Sequence, residues 1–213
     1  MVECKICGSN TRVIKDTQFD IDYYKCLQCE FIHMDENNRV SFEGERAVYD
    51  LHENSLESEG YVNMFHKFLD KSVIPFKSKG SGLDFGSGPE PVLMQLINRD
   101  YNFSMENYDL HYQPMKVYDG KKYDLVVSTE VVEHLDDPME VFELIYEILE
   151  VGGIFAFMTI IHNNNDESFN NWWYRRDETH ISFFSEKTLK VIADKVGFKF
   201  IYTDKKRLFT FQK

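Results

Sequence analysis

The chain's four cysteines are Cys4, Cys7, Cys26 and Cys29, two C-x-x-C pairs with 18 residues between them. A two-residue spacer bends tightly enough to turn both sulfurs toward one point, and two such knuckles close a tetrahedral four-sulfur shell around Zn²⁺. Such a shell has no open position, so the metal would be structural. The alternatives are disulfides, which need an oxidising compartment, or a redox pair, which uses a single C-x-x-C beside a βαβ unit. A second group is Glu130-x-x-Glu133-His134, three metal-capable side chains in five positions, with His180 further on. Two carboxylates and two imidazoles suit Mg²⁺, Mn²⁺ or Zn²⁺ with positions left for substrate hydroxyls. Without a metal, His134 or His180 is a candidate general base, near its ordinary pKa of about 6.5, or the group simply packs a loop. A third group is the glycine turn Gly86-Ser87-Gly88, two residues after Asp84, with Asp109 standing 25 positions after Asp84. Glycines let backbone N–H groups approach a ligand closely at a helix N-terminus. An acidic residue ending the second strand can hold both hydroxyls of a ribose. The third glycine of G-x-G-x-x-G is missing, and Glu90 stands near its place. A fourth group, Trp172, Trp173, Arg175 and Arg176, offers rings and guanidiniums to a planar or anionic substrate, or covers a core.

These groups need elements to position them. Residues 11–14 and 21–24 read as strands between the cysteine knuckles, making a zinc ribbon too small to fold without metal. Residues 36–59 are polar and acidic with little periodicity, a linker; His52-Glu53-Asn54 is a candidate lid within it. Leu56, Val62, Phe65, Phe68 and Leu69 recur at helical spacing, and that helix should end before Pro75. Strands follow at 83–85, 103–108, 123–128 and 154–159. Helices lie between them, at 92–97 with Pro91 in its first turn and at 138–149, stopped by Gly152-Gly153. A helix at 186–196, with Ser185 as N-cap, precedes two strands at 198–203 and 208–211 that pair as a hairpin. Alternating strands and helices mean a parallel sheet covered on both faces. The expected organisation is a ribbon at 1–40, linker and helix at 41–75, and an α/β domain at 76–213.

The 213 residues carry a formal charge of −12 and 43% hydrophobic content. That is ordinary for a globular core. The acidic balance argues against a protein living mainly on nucleic acid or anionic membrane. The longest apolar run is far short of the roughly 20 residues that cross a bilayer, and the N-terminus lacks a signal pattern. A cytoplasmic protein with no membrane partner is expected.

Residues 80–204 resemble class I S-adenosylmethionine-dependent methyltransferases. Leu83-Asp84-Phe85-Gly86-Ser87-Gly88 is similar to their first motif. Tyr123-Asp124-Leu125-Val126-Val127-Ser128-Thr129-Glu130-Val131-Val132-Glu133-His134-Leu135 is similar to the fourth-strand motif, and Glu150-Val151-Gly152-Gly153 with its strand to the fifth. The resemblance implies a Rossmann-like sheet with a terminal antiparallel hairpin and S-adenosylmethionine as cofactor. It further implies that Gly86, Ser87 and Gly88 flank the methionine moiety and that Asp84 holds its ammonium through water. Asp109 would bind ribose, with Thr129 and Glu130 as further cofactor contacts. Only 13 residues separate Asp109 from Tyr123, so the third-strand edge should be truncated. E-x-x-E-H plus a distal histidine resembles two O-methyltransferase groups, one of ubiquinone biosynthesis and one acting on the terminal ribose of small RNAs. It implies a metal that acidifies the hydroxyl to be methylated. O-methylation of a small molecule is the first expectation. RNA or protein methylation with the ribbon holding the macromolecule is the second, and a non-catalytic binding module the third.

Overall fold

The computed structural model describes residues 2–51 and 55–213. Its first elements are β1 (Thr11–Asp16), β2 (Ile21–Cys26), β3 (Ile32–Met34), α1 (Phe42–Tyr49) and α2 (Glu59–Ser72). Then come β4 (Lys79–Phe85), α3 (Val92–Asp100), β5 (Asn102–Tyr108), β6 (Tyr123–Thr129), α4 (Pro138–Ile148) and β7 (Leu149–Met158). The chain closes with α5 (Asp166–Asn170), β8 (Ser182–Phe183), α6 (Glu186–Val196), β9 (Lys199–Thr203) and β10 (Leu208–Gln212).

The larger sheet has the order β5-β4-β6-β7-β10-β9. Its first four strands are parallel, and β10 runs antiparallel to both β7 and β9. This is the parallel sheet with a terminal hairpin that the sequence pattern implies. Its central strands are apolar on both faces because helices cover both. Phe65 and Phe68 of α2 and Leu96 and Ile97 of α3 gather with Leu125, Val127, Ile154 and Ala156. On the other face Phe142 of α4 and Leu189 and Ile192 of α6 gather with Val126, Phe155, Phe157 and Phe209. Residues 110–122 contain no helix and only an isolated bridge, Asp109 to Gln113. β5 is therefore the sheet edge, truncated as the short spacing implies.

Two expectations need correction. Gly152-Gly153 does not separate helix from strand: β7 already begins at Leu149, and the glycines sit in a bulge where pairing jumps from Tyr123↔Leu149 to Leu125↔Ile154. Gly152 takes φ +78° there, a conformation glycine adopts without a Cβ clash. Residues 36–59 are not featureless, since they contain α1. Its N-cap Ser41 accepts from the Gly44 N–H at 3.1 Å, but none of its residues is buried, so it has no apolar stripe to reveal it. The suggested lid at His52-Glu53-Asn54 lies outside the described residues.

The smaller sheet has the order β1-β2-β3-β8. The first three strands belong to the cysteine segment, whereas β8 comes from far along the chain and pairs through Ile32↔Phe183 and His33↔Ser182. Cys4, Cys26, Cys29 and Phe31 share an apolar cluster with α6 and the larger sheet. Thr188 of α6 donates from Oγ1 to the Cys29 carbonyl at 2.9 Å. The cysteine segment thus shares a sheet and a core with the rest of the chain.

Candidate functional site

β4, β5 and β6 end on one edge of the sheet and open into a cavity of about 1320 Å³. At its floor, Gly86 (φ +81°) and Gly88 (φ +70°) form the turn after β4. A Cβ on Gly86 would collide with Val131. The Gly88 N–H donates to Asp109 Oδ2 at 2.8 Å, and the amides of His111 and Tyr112 donate to Asp109 Oδ1 at 2.9 and 3.0 Å. The carboxylate that ends β5 is thereby fixed against the glycine turn. Asp84 is buried, accepts from the Met94 N–H at 3.1 Å, and lines the same cavity. Burial first, and the Asp109 charge second, push its carboxyl up to about 7. A cationic ligand would relieve that cost. Ser87, Thr129 and Glu130 also line this cavity.

Beyond β6, Glu133, His134 and His180 bring one ligand atom each within 4.8 Å of one another. Glu133 is fully buried; Oε1 accepts from the Tyr174 hydroxyl, and Oε2 has no hydrogen-bond partner. Burial, reinforced by Glu130, holds this carboxyl well above the usual range. His134 Nδ1 lies 2.9 Å from the Thr179 carbonyl and His180 Nδ1 2.7 Å from the Tyr174 carbonyl. A carbonyl only accepts, so both Nδ1 atoms carry a proton, and His180 Nε2 lies 3.8 Å from Asp177 Oδ2. A ring nitrogen held by a backbone carbonyl is how ligating histidines are oriented. A buried orphan oxygen beside two such imidazoles fits a divalent cation. Glu130 lies outside this trio. Its Oε1 accepts from Arg207 Nη2 at 2.8 Å, and its Oε2 lies 3.2 Å from the Tyr174 hydroxyl. The expected four-member set therefore contracts to three.

The cysteine sulfurs lie within 4.8 Å of one another, with Cys4–Cys29 at 3.5 Å and Cys7–Cys26 at 3.4 Å. Arms of about 2.3 Å give a tetrahedron edge of about 3.8 Å, close to these separations. Ile6 and Gln28 donate backbone N–H groups to Cys4 and Cys26 sulfur at 3.4 and 3.3 Å, as thiolates require. The residue after each knuckle, Gly8 and Glu30, takes a positive φ (71° and 68°). The donor set fits zinc and lies away from the cavity.

The aromatic segment corrects a sequence expectation. Arg175 is buried and paired with Asp16 of β1, so its guanidinium is unavailable to substrate. Arg176 is exposed and Trp172 packs with Phe183; neither lines the cavity. Trp173, 66% exposed, does line it. The sequence reading passed over Tyr174, which touches Glu133, and over α1. That helix covers the truncated edge: Phe42 stacks on His111 (centroids 4.2 Å), Glu45 Oε2 lies 3.2 Å from His111 Nε2, and Tyr112 donates to Asp50 at 2.6 Å. No local signal links these residues, because their partners are more than 60 positions away.

Residues 59–203 match the model of a family described as a methyltransferase domain. Over 83 residues the chain is 31% identical to the ubiquinone biosynthesis O-methyltransferases of Pseudomonas savastanoi pv. phaseolicola and Pseudomonas syringae pv. syringae, covering 39% of this chain and 35% of theirs. The chain thus spans about a third of the length of these curated relatives. An O-methyltransferase family protein from Burkholderia thailandensis superposes with a TM-score of 0.53 at 12% identity, over 80% of this chain and 59% of that one. Haemonchus contortus phosphoethanolamine N-methyltransferase 2, solved with S-adenosyl-L-methionine, gives 0.52 at 20% identity, over 74% and 42%. These structures speak to the fold, and the family match covers about two thirds of the chain, including the glycine turn, Asp109 and the β6 edge. The chain therefore belongs to the class I S-adenosylmethionine-dependent methyltransferases, with a zinc-ribbon-like cysteine module at its N-terminus.

Proposed function

We propose that the chain transfers the sulfonium methyl of S-adenosylmethionine to a hydroxyl of a small molecule. In this reading a divalent ion, Mg²⁺ or Mn²⁺, sits at Glu133, His134 and His180, and a structural zinc at the four cysteines. The observation that carries it is the buried Glu133 oxygen without a partner, beside two histidines whose Nδ1–H groups are bound to carbonyls. His134 and His180 line the cavity of the glycine turn, and the buried Glu133 lies beside them. The O-methyltransferase names of the relatives support the same acceptor atom.

Asp84, Gly86 to Gly88 and Asp109 would hold the cofactor, with Thr129 bordering the same space. The hydroxyl would lose its proton to solvent, and its oxygen would attack the methyl carbon in line. A C–O bond forms, the C–S bond breaks, and the sulfonium leaves as a neutral thioether. A bound divalent ion supplies a lowered pKa for the hydroxyl. Glu133, His134 and His180 fix where that hydroxyl oxygen lies, and alignment supplies much of the rate. Phe42, Glu45 and Tyr49 of α1 and the exposed Trp173 form part of the cavity wall. The cysteine module supports this architecture rather than a macromolecular substrate, because β3 and the cysteine core are already spent on β8 and α6.

The test is transfer of labelled methyl to a panel of catechols, phenols, amines and RNA, before and after a mild chelator that leaves the cysteine zinc in place. Methylation of hydroxyls, lost on chelation and restored by Mg²⁺ or Mn²⁺, is expected. Full activity in the stripped chain would remove the metal from the reading, and transfer to nitrogen or RNA alone would replace the acceptor.

A further inference from the structure

We propose that Tyr174 is the positioning residue of the Glu133–His134–His180 trio, and that the cysteine module holds it in place through the Asp16–Arg175 ion pair. The proposal rests on the metal reading above. Tyr174 is buried and meets the trio in two ways. Its hydroxyl donates to Glu133 Oε1, and its carbonyl accepts from His180 Nδ1 at 2.7 Å. Its ring also lies against the His180 imidazole, with centroids 4.2 Å apart. The hydroxyl has one proton to give. The hydroxyl also lies 3.2 Å from Glu130 Oε2, while Glu130 Oε1 takes Arg207, so the two glutamates of one motif meet at this hydroxyl and only Glu133 keeps an oxygen without a partner. Remaining neighbours of the hydroxyl are Thr159 Oγ1 and the Ile160 N–H, each at 3.4 Å.

The anchor lies in the adjacent residue. Arg175 Nη1 pairs with Asp16 at the end of β1, and its Nε donates to the Phe169 carbonyl at 2.8 Å. Both charges are almost wholly buried, with side chains 1% and 4% exposed. Removing one partner leaves the other uncompensated, so the segment has to move. Tyr174 belongs to the buried apolar cluster that contains Ile14, Tyr23, Ile32 and Met34 of the module. The far end of the segment is tied as well: the Met34 N–H donates to the Ile181 carbonyl, and the Ile181 N–H donates to the Glu133 carbonyl, both at 2.9 Å. Tyr174 and His180 are thus fixed from the module's side and Glu133 from the sheet's side.

Loss of a partner that orients metal ligands costs about 10- to 100-fold in metal affinity. The experiment titrates Mn²⁺ into the full-length, zinc-loaded chain with S-adenosylhomocysteine present, followed by electron paramagnetic resonance. Tyr174→Phe keeps the ring and removes the hydroxyl; Asp16→Ala lies outside the cavity altogether. Each is expected to weaken Mn²⁺ binding at least about tenfold, with zinc content and S-adenosylhomocysteine affinity unchanged. Mn²⁺ affinity within twofold of the natural chain in Tyr174→Phe overturns the positioning role, and the same result in Asp16→Ala overturns the anchoring. If the unaltered chain binds no Mn²⁺, the metal reading itself fails and this proposal falls with it.

Discussion

Two clusters of metal-capable side chains lie among the described residues, and they are built in opposite ways. The cysteine cluster draws all its ligands from the first 29 residues, and its sulfurs accept hydrogen bonds from their own knuckle amides. It packs into apolar core and lies away from the cavity of the glycine turn. The Glu133–His134–His180 cluster draws its ligands from segments 46 positions apart, since 180 − 134 = 46. Its two histidines line the cavity of the glycine turn, and its buried carboxylate keeps an oxygen without a partner. A closed thiolate shell stabilises, whereas an open mixed shell leaves room for a substrate oxygen. The difference teaches where to look for chemistry: at the cluster whose valences are incomplete. The two are not independent, because the module also grips the segment that carries His180.

That contrast can be broken most severely at the cysteines. Cys26→Ser should abolish zinc retention and lower the unfolding midpoint by more than about 10 °C, the equivalent of several kcal/mol. Because β8 and α6 lean on the module, the loss should extend beyond the first 40 residues; hydrogen exchange reads this as lost protection at 182–196. Protection confined to its natural level there would separate the module from the core.

Next in size is the open cluster. Glu133→Gln and His180→Ala should each lower methyl transfer by about 10²- to 10⁴-fold while calorimetry finds S-adenosylhomocysteine affinity within twofold. A mild effect of Glu133→Gln with a slow His180→Ala would favour a histidine base without metal.

Smaller effects sharpen the cofactor end. Asp109→Ala removes an acceptor held by three backbone amides, and should weaken S-adenosylhomocysteine by about 1.5–3 kcal/mol. Asp84 gives a pH signature. Its folded pKa of about 7 lies above the ordinary carboxylate value of 3.8, so between those values the folded chain holds a proton that the unfolded chain has lost. Stability from this group therefore falls as pH rises through that window and is level above it. The ammonium of the cofactor favours the ionised form, so affinity should rise toward pH 7, by up to tenfold per unit, and then level off. Asp84→Asn should flatten the profile, as calorimetry across pH would record.

Much of this was legible from residue types and local spacing. The cysteine shell could be read because its ligands sit in two tight knuckles, and the cofactor turn because Asp84, Gly86, Gly88 and Asp109 follow the strand–turn–helix order. What escaped was long-range. β8 is two residues long and finds β3 some 150 positions away, so no periodicity marks it. Arg175 reads as a substrate cation until Asp16, 159 positions earlier, is seen to neutralise it. Glu130 belongs by motif to the trio, yet Arg207 claims it. Helix α1 has no fully buried residue, and its partners His111 and Tyr112 lie more than 60 positions away.

The distinction between a closed and an open cluster is best tested by crystals of the full-length chain grown with S-adenosylhomocysteine and Mn²⁺, with anomalous maps collected across the zinc and manganese edges. Two peaks are expected: zinc among Cys4, Cys7, Cys26 and Cys29, and manganese bound by Glu133, His134 and His180 beside the cofactor sulfur. A zinc peak alone, with Glu133 paired to protein groups through both oxygens, would contradict the open metal site and return the chemistry to the histidines.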